Sequence, residues 1–283
     1  MKFRKTLGKL VAYIILSVVA IITLVPIVYV FCCSLKTNME IFKHADKLLP
    51  MNPTFDNYKE LFTAEVIDIV PMILNSIYYT VITVLITLIT GTLQSYAFER
   101  YDFWGKKVIF GFFTALMFVS LGGITIHPQF ELLGKFGLAT SINGLILMKC
   151  FGMGMMNVWL IRSFMAQLPR ELDESAMIDG CGYFGIFFRV ILPLLAPMLA
   201  TVGVLAFNGS WNDYLMPTMF TISRPDQHTL IVGLMTIMNS GEGAANWNLI
   251  MAGSVVTILP VLLAYIFFNR FFIDGMTAGA VKG

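Results

Sequence analysis

LVAYIILSVVAIITLVPIVYVFCC, running from Leu10 to Cys33, contains no charged residue. The hydrocarbon layer of a bilayer is about 30 Å thick and a helix rises about 1.5 Å per residue, so a crossing needs about 20 mainly apolar residues. This stretch is long enough. MKFRKTLGK precedes it, which gives the basic-then-apolar order of a secretory leader. The apolar run exceeds the roughly 7–15 residues of a leader core, however, and no small-x-small cleavage pattern closes it. It is predicted to be an uncleaved first membrane helix.

Five more segments read the same way: Val70–Phe98, Val108–Ile126, Ile142–Ile161, Leu194–Pro217 and Leu249–Phe272. Their apolar residues are continuous and do not alternate, which favours helices over barrel strands, the other backbone solution in lipid. The expected fold class is an all-α membrane protein with six transmembrane helices. Composition agrees. Hydrophobic residues make up 57% of the 283-residue chain and charged residues 13%, against about 25% in a soluble domain. A net charge of +2 gives no basis for a nucleic-acid partner. Cys32, Cys33, Cys150 and Cys181 form no C-x-x-C pair and have no histidine at ligand spacing. They read as buried thiols, not as a metal or disulfide framework.

Positive charge orients the spans. Of the 19 Lys and Arg, twelve fall on the side of the N-terminus, six on the other side, and Lys149 lies inside the fourth segment. Both chain ends are therefore expected in the cytoplasm. The outer loop, Ser34–Ile69, contains LLPMNPTFDNYKELF, where Asn57–Phe62 can form a short amphipathic helix. It reads either as a cap over the bundle or as a docking surface. The longest inner loop is Arg162–Pro193.

That inner loop holds most of ELDESAMIDGCGYFGIFFRVILPLLAP, Glu171–Pro197. Glu171, Asp173 and Glu174 suit the positive N-terminal end of a helix, and Pro169 suits its first turn. Ala176 and Gly180 form a small-residue strip that permits close approach. Gly180 and Gly182 break the helix, a second arm carries Phe184, Phe187 and Phe188, and Pro193 and Pro197 kink the way into the fifth segment. On spacing alone this is either a mere connector or a rigid elbow able to transmit a push.

The order Glu174-Ser175-Ala176, two residues, Asp179-Gly180-Cys181, eight residues, Val190-Ile191-Leu192-Pro193 resembles the EAA loop of bacterial ABC-importer permeases. Ser175, Cys181 and Val190 depart from that pattern by like-for-like exchanges. Trp211-Asn212-Asp213-Tyr214 resembles the W-N-[DE]-aromatic run of carbohydrate-importer permeases. The ending GMTAGAVKG, Gly275–Gly283, is similar to that of the maltose-importer permeases, and NPTFDNY fits the same group.

The resemblance covers essentially the whole chain. It implies the type I importer permease fold: a single transmembrane domain over residues 1–283, with a core over 70–272 and a cytoplasmic EAA coupling loop over 168–193. The partners it implies are a second permease subunit, two ABC ATPase subunits and an extracytoplasmic solute-binding protein, in the bacterial inner membrane. Glu174, Ser175, Ala176, Asp179, Gly180, Leu192 and Pro193 would couple to an ATPase. Glu174 would pair with a basic group, Asp179 would help hold the loop and Gly180 would allow the turn. The tail residues Thr277, Gly279, Lys282 and Gly283 would reach between the ATPases.

The residues themselves agree on energy supply. Gly8-Lys9, Gly105-Lys106 and Gly134-Lys135 are not followed by Ser or Thr, so the chain lacks the phosphate-cradling G-x-x-x-x-G-K-[ST] loop. No catalytic, cofactor or metal site is expected, and ATP and Mg are expected on partner subunits. For a pathway, polar residues within apolar segments are the candidates. Asn208, Trp211, Asn212 and Tyr214 combine hydrogen-bonding groups with aromatic faces, as sugars require; the alternative is helix-joining. Asn75 and Asn157 read as helix-joining groups. Lys149 reads as a residue that snorkels or is paired within the bundle. His44, His127 and His228 read as solvated loop residues. A secondary transporter would need more buried ionisable groups than Lys149 and Asp213. A membrane enzyme would need a His or metal companion for the acidic cluster. An importer of a non-carbohydrate solute is the nearest rival reading.

Overall fold

The computed structural model describes residues 2–63, 68–119, 122–239 and 246–278. Every regular element among them is helical. In chain order these are α1 (Lys2–Ser34), α2 (Asn38–Lys43), α3 (Asp56–Phe62), α4 (Ile69–Arg100), α5 (Lys106–Met117), α6 (Ile126–Lys135), α7 (Ile142–Phe151), α8 (Met155–Met165), α9 (Glu171–Ile178), α10 (Tyr183–Ile186), α11 (Leu192–Leu194), α12 (Ala196–Trp211), α13 (Leu215–Thr221), α14 (Leu230–Asn239) and α15 (Trp247–Ala278).

Among the described residues, three helices are long and apolar enough to cross a membrane alone: Gly8–Ser34 of α1, all of α4, and Trp247–Phe267 of α15. Two bent pairs qualify together. α7 and α8 meet at 42°, and Tyr183–Leu194 meets α12 at 75°. The third predicted segment, Val108–Ile126, becomes the 12-residue α5, a 3-10 turn over Gly122–Thr125 and the start of α6. Twelve helical residues rise about 18 Å, short of the hydrocarbon layer. The Gly122-Gly123 pair disfavours continuing the helix. The fourth segment is broken at Gly152–Gly154, and the fifth loses its helix after Trp211.

The chain forms two compact units. One comprises Met1–Val70 with Gly233–Leu259, the other Pro71–Val232 with Pro260–Gly283. In the first, the predicted helix at Asn57–Phe62 appears as α3. Its Asn57 amide donates to the carbonyls of Ser34 (2.7 Å) and Lys36 (2.8 Å) and accepts from Asn248 Nδ2 (2.8 Å). Ser34 and Tyr58 share a hydroxyl contact at 2.7 Å. These bonds satisfy carbonyls left free where α1 ends and fold the segment that follows back onto it. Lys36 is fully buried and donates to the Lys47 carbonyl. Where α14 passes α15, a Cβ on Gly253 would lie 2.5 Å from Leu234 Cδ2, so a larger residue there would require the Leu234 side chain to shift.

In the second unit, Ser95 Oγ of α4 donates to Val158 O of α8 at 3.0 Å. Asn75 Nδ2 donates to the carbonyls of Asp226 (2.9 Å) and His228 (3.1 Å), a helix-to-loop tie that matches its expected joining role. Gln227 Oε1 accepts from Ile142 N at 2.9 Å, at the start of α7. His228 departs from the sequence reading. It is buried, at 7% exposure, and its Nε2 lies 3.2 Å from the Thr221 carbonyl. The 3-10 turn Pro225–Gln227 folds the loop over it. Burial holds its pKa below the ordinary value, with the Thr221 bond and Asp226 pulling upward.

Candidate functional site

Helix α9 carries the acidic cluster, which the structure divides. Asp173 turns inward, and its Oδ2 lies 3.0 Å from Arg100 Nε at the end of α4. The two side chains are only 13% and 7% exposed. The contact is ionic and not an aligned hydrogen bond. Arg100 also donates from Nη2 to the Leu168 carbonyl at 3.2 Å. Next along α4, Glu99 Oε2 accepts from Arg162 Nε of α8 at 2.8 Å, and the Glu99 carbonyl accepts from Arg170 Nη2 at 3.4 Å. The Arg162 guanidinium lies 4.1 Å above the Phe110 ring of α5, a cation–π contact. Charged side chains thus bind α9 and its approach to the end of α4, and bind α8 to α4 and α5. Sequence reading missed Glu99, Arg100, Arg162 and Arg170. Their one sequence signal was a basic or acidic residue at or near the end of an apolar run.

Glu171, Glu174, Ser175 and Asp179 remain exposed. Among the described residues the Asp179 carboxylate has no partner, and it lies at the helix end. Pro169 sits two residues ahead of α9, where its carbonyl accepts from Leu172 N. Ala176 is buried among Ile186, Phe187, Ile191, Ile161 and Met165, while its strip partner Gly180 is exposed. Gly180 adopts φ +81°. Cys181 N donates to Ala176 O and Gly180 N to Met177 O, the left-handed C-terminal stop that glycine favours. Cβ strain disfavours this conformation for other L-residues.

Beyond that stop, Tyr183 packs edge-on to Tyr101 (5.8 Å) and Phe187 lies 4.9 Å from Tyr96. A π turn over Phe187–Ile191 leads into Leu192 and Pro193, and the chain bends 75° into α12. Pro197 occupies the first turn of α12, where no backbone donor is needed. The result is an elbow braced from within. Its outward tip is apolar, with Ile178 at 86% and Phe184 at 79% exposure. Apolar side chains and the carboxylates of Glu171, Glu174 and Asp179 are thus exposed side by side.

The pathway candidates separate. α12 ends at Trp211, and Asn212 caps it. Trp211 is 5% exposed and stacks on Phe207 with rings 5.9 Å apart. Asn208 and Asn212 are exposed and bond each other, Asn212 Nδ2 donating to Asn208 Oδ1 and O, both at 2.9 Å. Tyr214 is 38% exposed. Asp213 accepts from Tyr79 OH at 2.9 Å and from Met216 N at 3.3 Å, which ties the break to α4. Tail residues Gly279, Lys282 and Gly283 lie outside the described residues, and for Thr277 only the backbone is described.

A cavity of about 650 Å³ opens between α4, α6, α7, α8 and α12. Thr83, Thr87, Gln129, Lys149, Asn157 and Ser210 line it, with Gly152 and Gly154 from the broken span. Asn157, a polar residue of the fourth segment that read as a helix-joining group, is on this wall. Thr83, Thr87 and Thr90 all line it from one face of α4. That i, i+4, i+7 spacing was readable in the sequence and was not used.

Residues 1–277 match the family model described as the binding-protein-dependent transport system inner membrane component. The chain belongs to that family. It is a multi-pass membrane component of a transport system. The chain is 34% identical over 285 residues to the galactooligosaccharides transport system permease protein GanQ of Bacillus subtilis, covering 100% of this chain and 99% of that one. It is 32% identical over 267 residues to the arabinooligosaccharides transport system permease protein AraQ of Halalkalibacterium halodurans, covering 94% and 93%. A crystal structure of a bacterial ABC transporter involved in the import of the acidic polysaccharide alginate contains a chain of the same fold. There the TM-score is 0.80 at 23% identity, with 94% and 96% of the two chains covered.

Proposed function

We propose that this chain is one of two permease subunits in an ATP-driven importer, and that it forms half of the pathway for a sugar or oligosaccharide handed over by an extracytoplasmic binding protein. The observation that carries this reading is the braced elbow: Asp173 is held inward by Arg100 while Glu174, Ile178 and Phe184 project outward. Relatives named for galactooligosaccharide and arabinooligosaccharide transport support the sugar assignment.

In this reading residues 1–283 form a single permease domain with six crossings and a core over 70–272. α5 and the residues following it form the third, and both chain ends lie in the cytoplasm. Two partner ATPases bind ATP and Mg. One of them receives α9, with Glu174 against a basic group and Gly180 setting the turn. The tail residues Thr277, Gly279, Lys282 and Gly283 reach between the ATPases. Nucleotide binding favours closed ATPases. Because α9 is tied to α4 and α8, that preference reaches the spans as a shift in population. Asn208, Asn212 and Tyr214 meet sugar hydroxyls and rings, with Trp211 supporting them from behind.

The complex reconstituted in vesicles with its partners tests the reading. Glu174→Lys should abolish sugar uptake and ATPase stimulation while the complex still assembles. Both activities surviving the charge reversal would overturn the docking role.

A further inference from the structure

Lys149 sits in the last turn of α7, where the fourth span breaks. It lines the 650 Å³ cavity, is partly buried, and makes no hydrogen bond or ion pair among the described residues. The lining contains no Asp or Glu. A cation at membrane depth is costly without a counter-charge, and none of the described residues lining the cavity supplies one.

The rest of the wall indicates what brings that charge. Thr83 is 3% exposed, and its hydroxyl has no hydrogen-bond partner among the described residues. Thr87, Gln129, Asn157 and Ser210 add further donors and acceptors. Gly152 and Gly154 place unwound backbone on the wall, and broken spans border ligand sites in transporters. α8 begins at this break with no side-chain cap, so its positive end adds to the field of Lys149. The volume falls within the roughly 300–1,000 Å³ of small-molecule sites. A carboxylate from a partner subunit could also neutralise Lys149, but it would not require a cavity with a wall of hydroxyls and amides.

We infer that the cavity bounded by Lys149, Thr83 and the Gly152–Gly154 break is a subsite for a sugar unit bearing an anionic group, such as a uronic acid. The inference rests on the proposed role of the chain as a sugar-pathway subunit and narrows it to acidic carbohydrate.

The test uses Met156, which lines the cavity and is 52% exposed. In the assembled complex, Met156→Cys is labelled with an anionic and with a neutral methanethiosulfonate, and modification at that residue is read by peptide mass spectrometry. Adding Lys149→Gln should slow the anionic reagent about tenfold and leave the neutral one unchanged, and Lys149→Arg should restore the rate. Galacturonate should protect the thiol, and galactose at the same concentration should not. An unchanged ratio of the two rates means that a partner carboxylate already neutralises Lys149, and the inference falls. Equal protection by both sugars, or no reaction with the neutral reagent because a partner fills the cavity, overturns it as well. None of these outcomes depends on ATP-driven uptake, so they are distinguishable from failure of the transport assignment.

Discussion

Arg100 Nε and Asp173 Oδ2 lie 3.0 Å apart, joining the end of α4 to α9 with both side chains largely out of water. Breaking one side of a buried pair leaves an unmatched charge and typically costs about 3–5 kcal/mol. Asp173→Asn and Arg100→Gln should each lower the melting temperature of the complex. The double variant should lose less than the sum of the singles. Hydrogen exchange should rise in α9 before it rises in α12. Strictly additive losses would show that the contact carries no coupling.

Gly180 is the hinge of the elbow. It has φ +81° and nothing within 4 Å of a built Cβ, so strain and not crowding decides its substitutions. Gly180→Ala should cost about 1–2 kcal/mol. Gly180→Asn should cost less, because asparagine tolerates this region better. Melting curves of the two variants measure the order, and alanine being the milder change would contradict the strain argument.

Trp211 and Asn212 are neighbours with opposite surroundings. Trp211→Ala removes a ring packed on Phe207 and should destabilise the chain by about 3–5 kcal/mol. Asn212→Ala removes an exposed amide bonded to Asn208 and should leave melting nearly unchanged while altering the rate or preference of uptake. If a panel of sugars is taken up identically, Asn212 has no part in the pathway.

His228 gives the chain a pH dependence of known sign. Burial depresses its pKa, so the unfolded chain binds more protons at this site than the folded one. The stability it contributes is complete above the unfolded value of about 6.5 and falls as the pH drops through that value towards the folded one. Melting temperatures measured from about pH 7.5 down to about pH 5 should decline, and more shallowly in His228→Asn. Parallel curves for the two proteins would remove His228 as the source.

The long spans could be read because their signal is local. Leu10–Cys33 lies within α1, and Val70–Phe98 within α4, where unbroken apolarity alone dictates a helix. The interruptions at Gly152–Gly154 and Asn212–Tyr214 were not legible, since hydropathy barely changes there and one or two glycines or asparagines do not force a break. The acidic cluster marked the elbow correctly. Its division into inward Asp173 and outward Glu174 depends on Arg100, which only the tertiary fold brings near. His228 followed the same logic: a polar loop in sequence, sealed by a turn in space.

α1 is apolar around its circumference, and none of its most hydrophobic window is buried within the chain. Among the described residues nothing covers that window, which leaves it open to lipid tails or to helices of another subunit. Exchanges among leucine, isoleucine and valine along it should be silent in the isolated polypeptide. Any that disturb the assembled complex will trace the seam where a foreign helix lies alongside, so a scan of this one segment maps the quaternary contact without a structure of the whole.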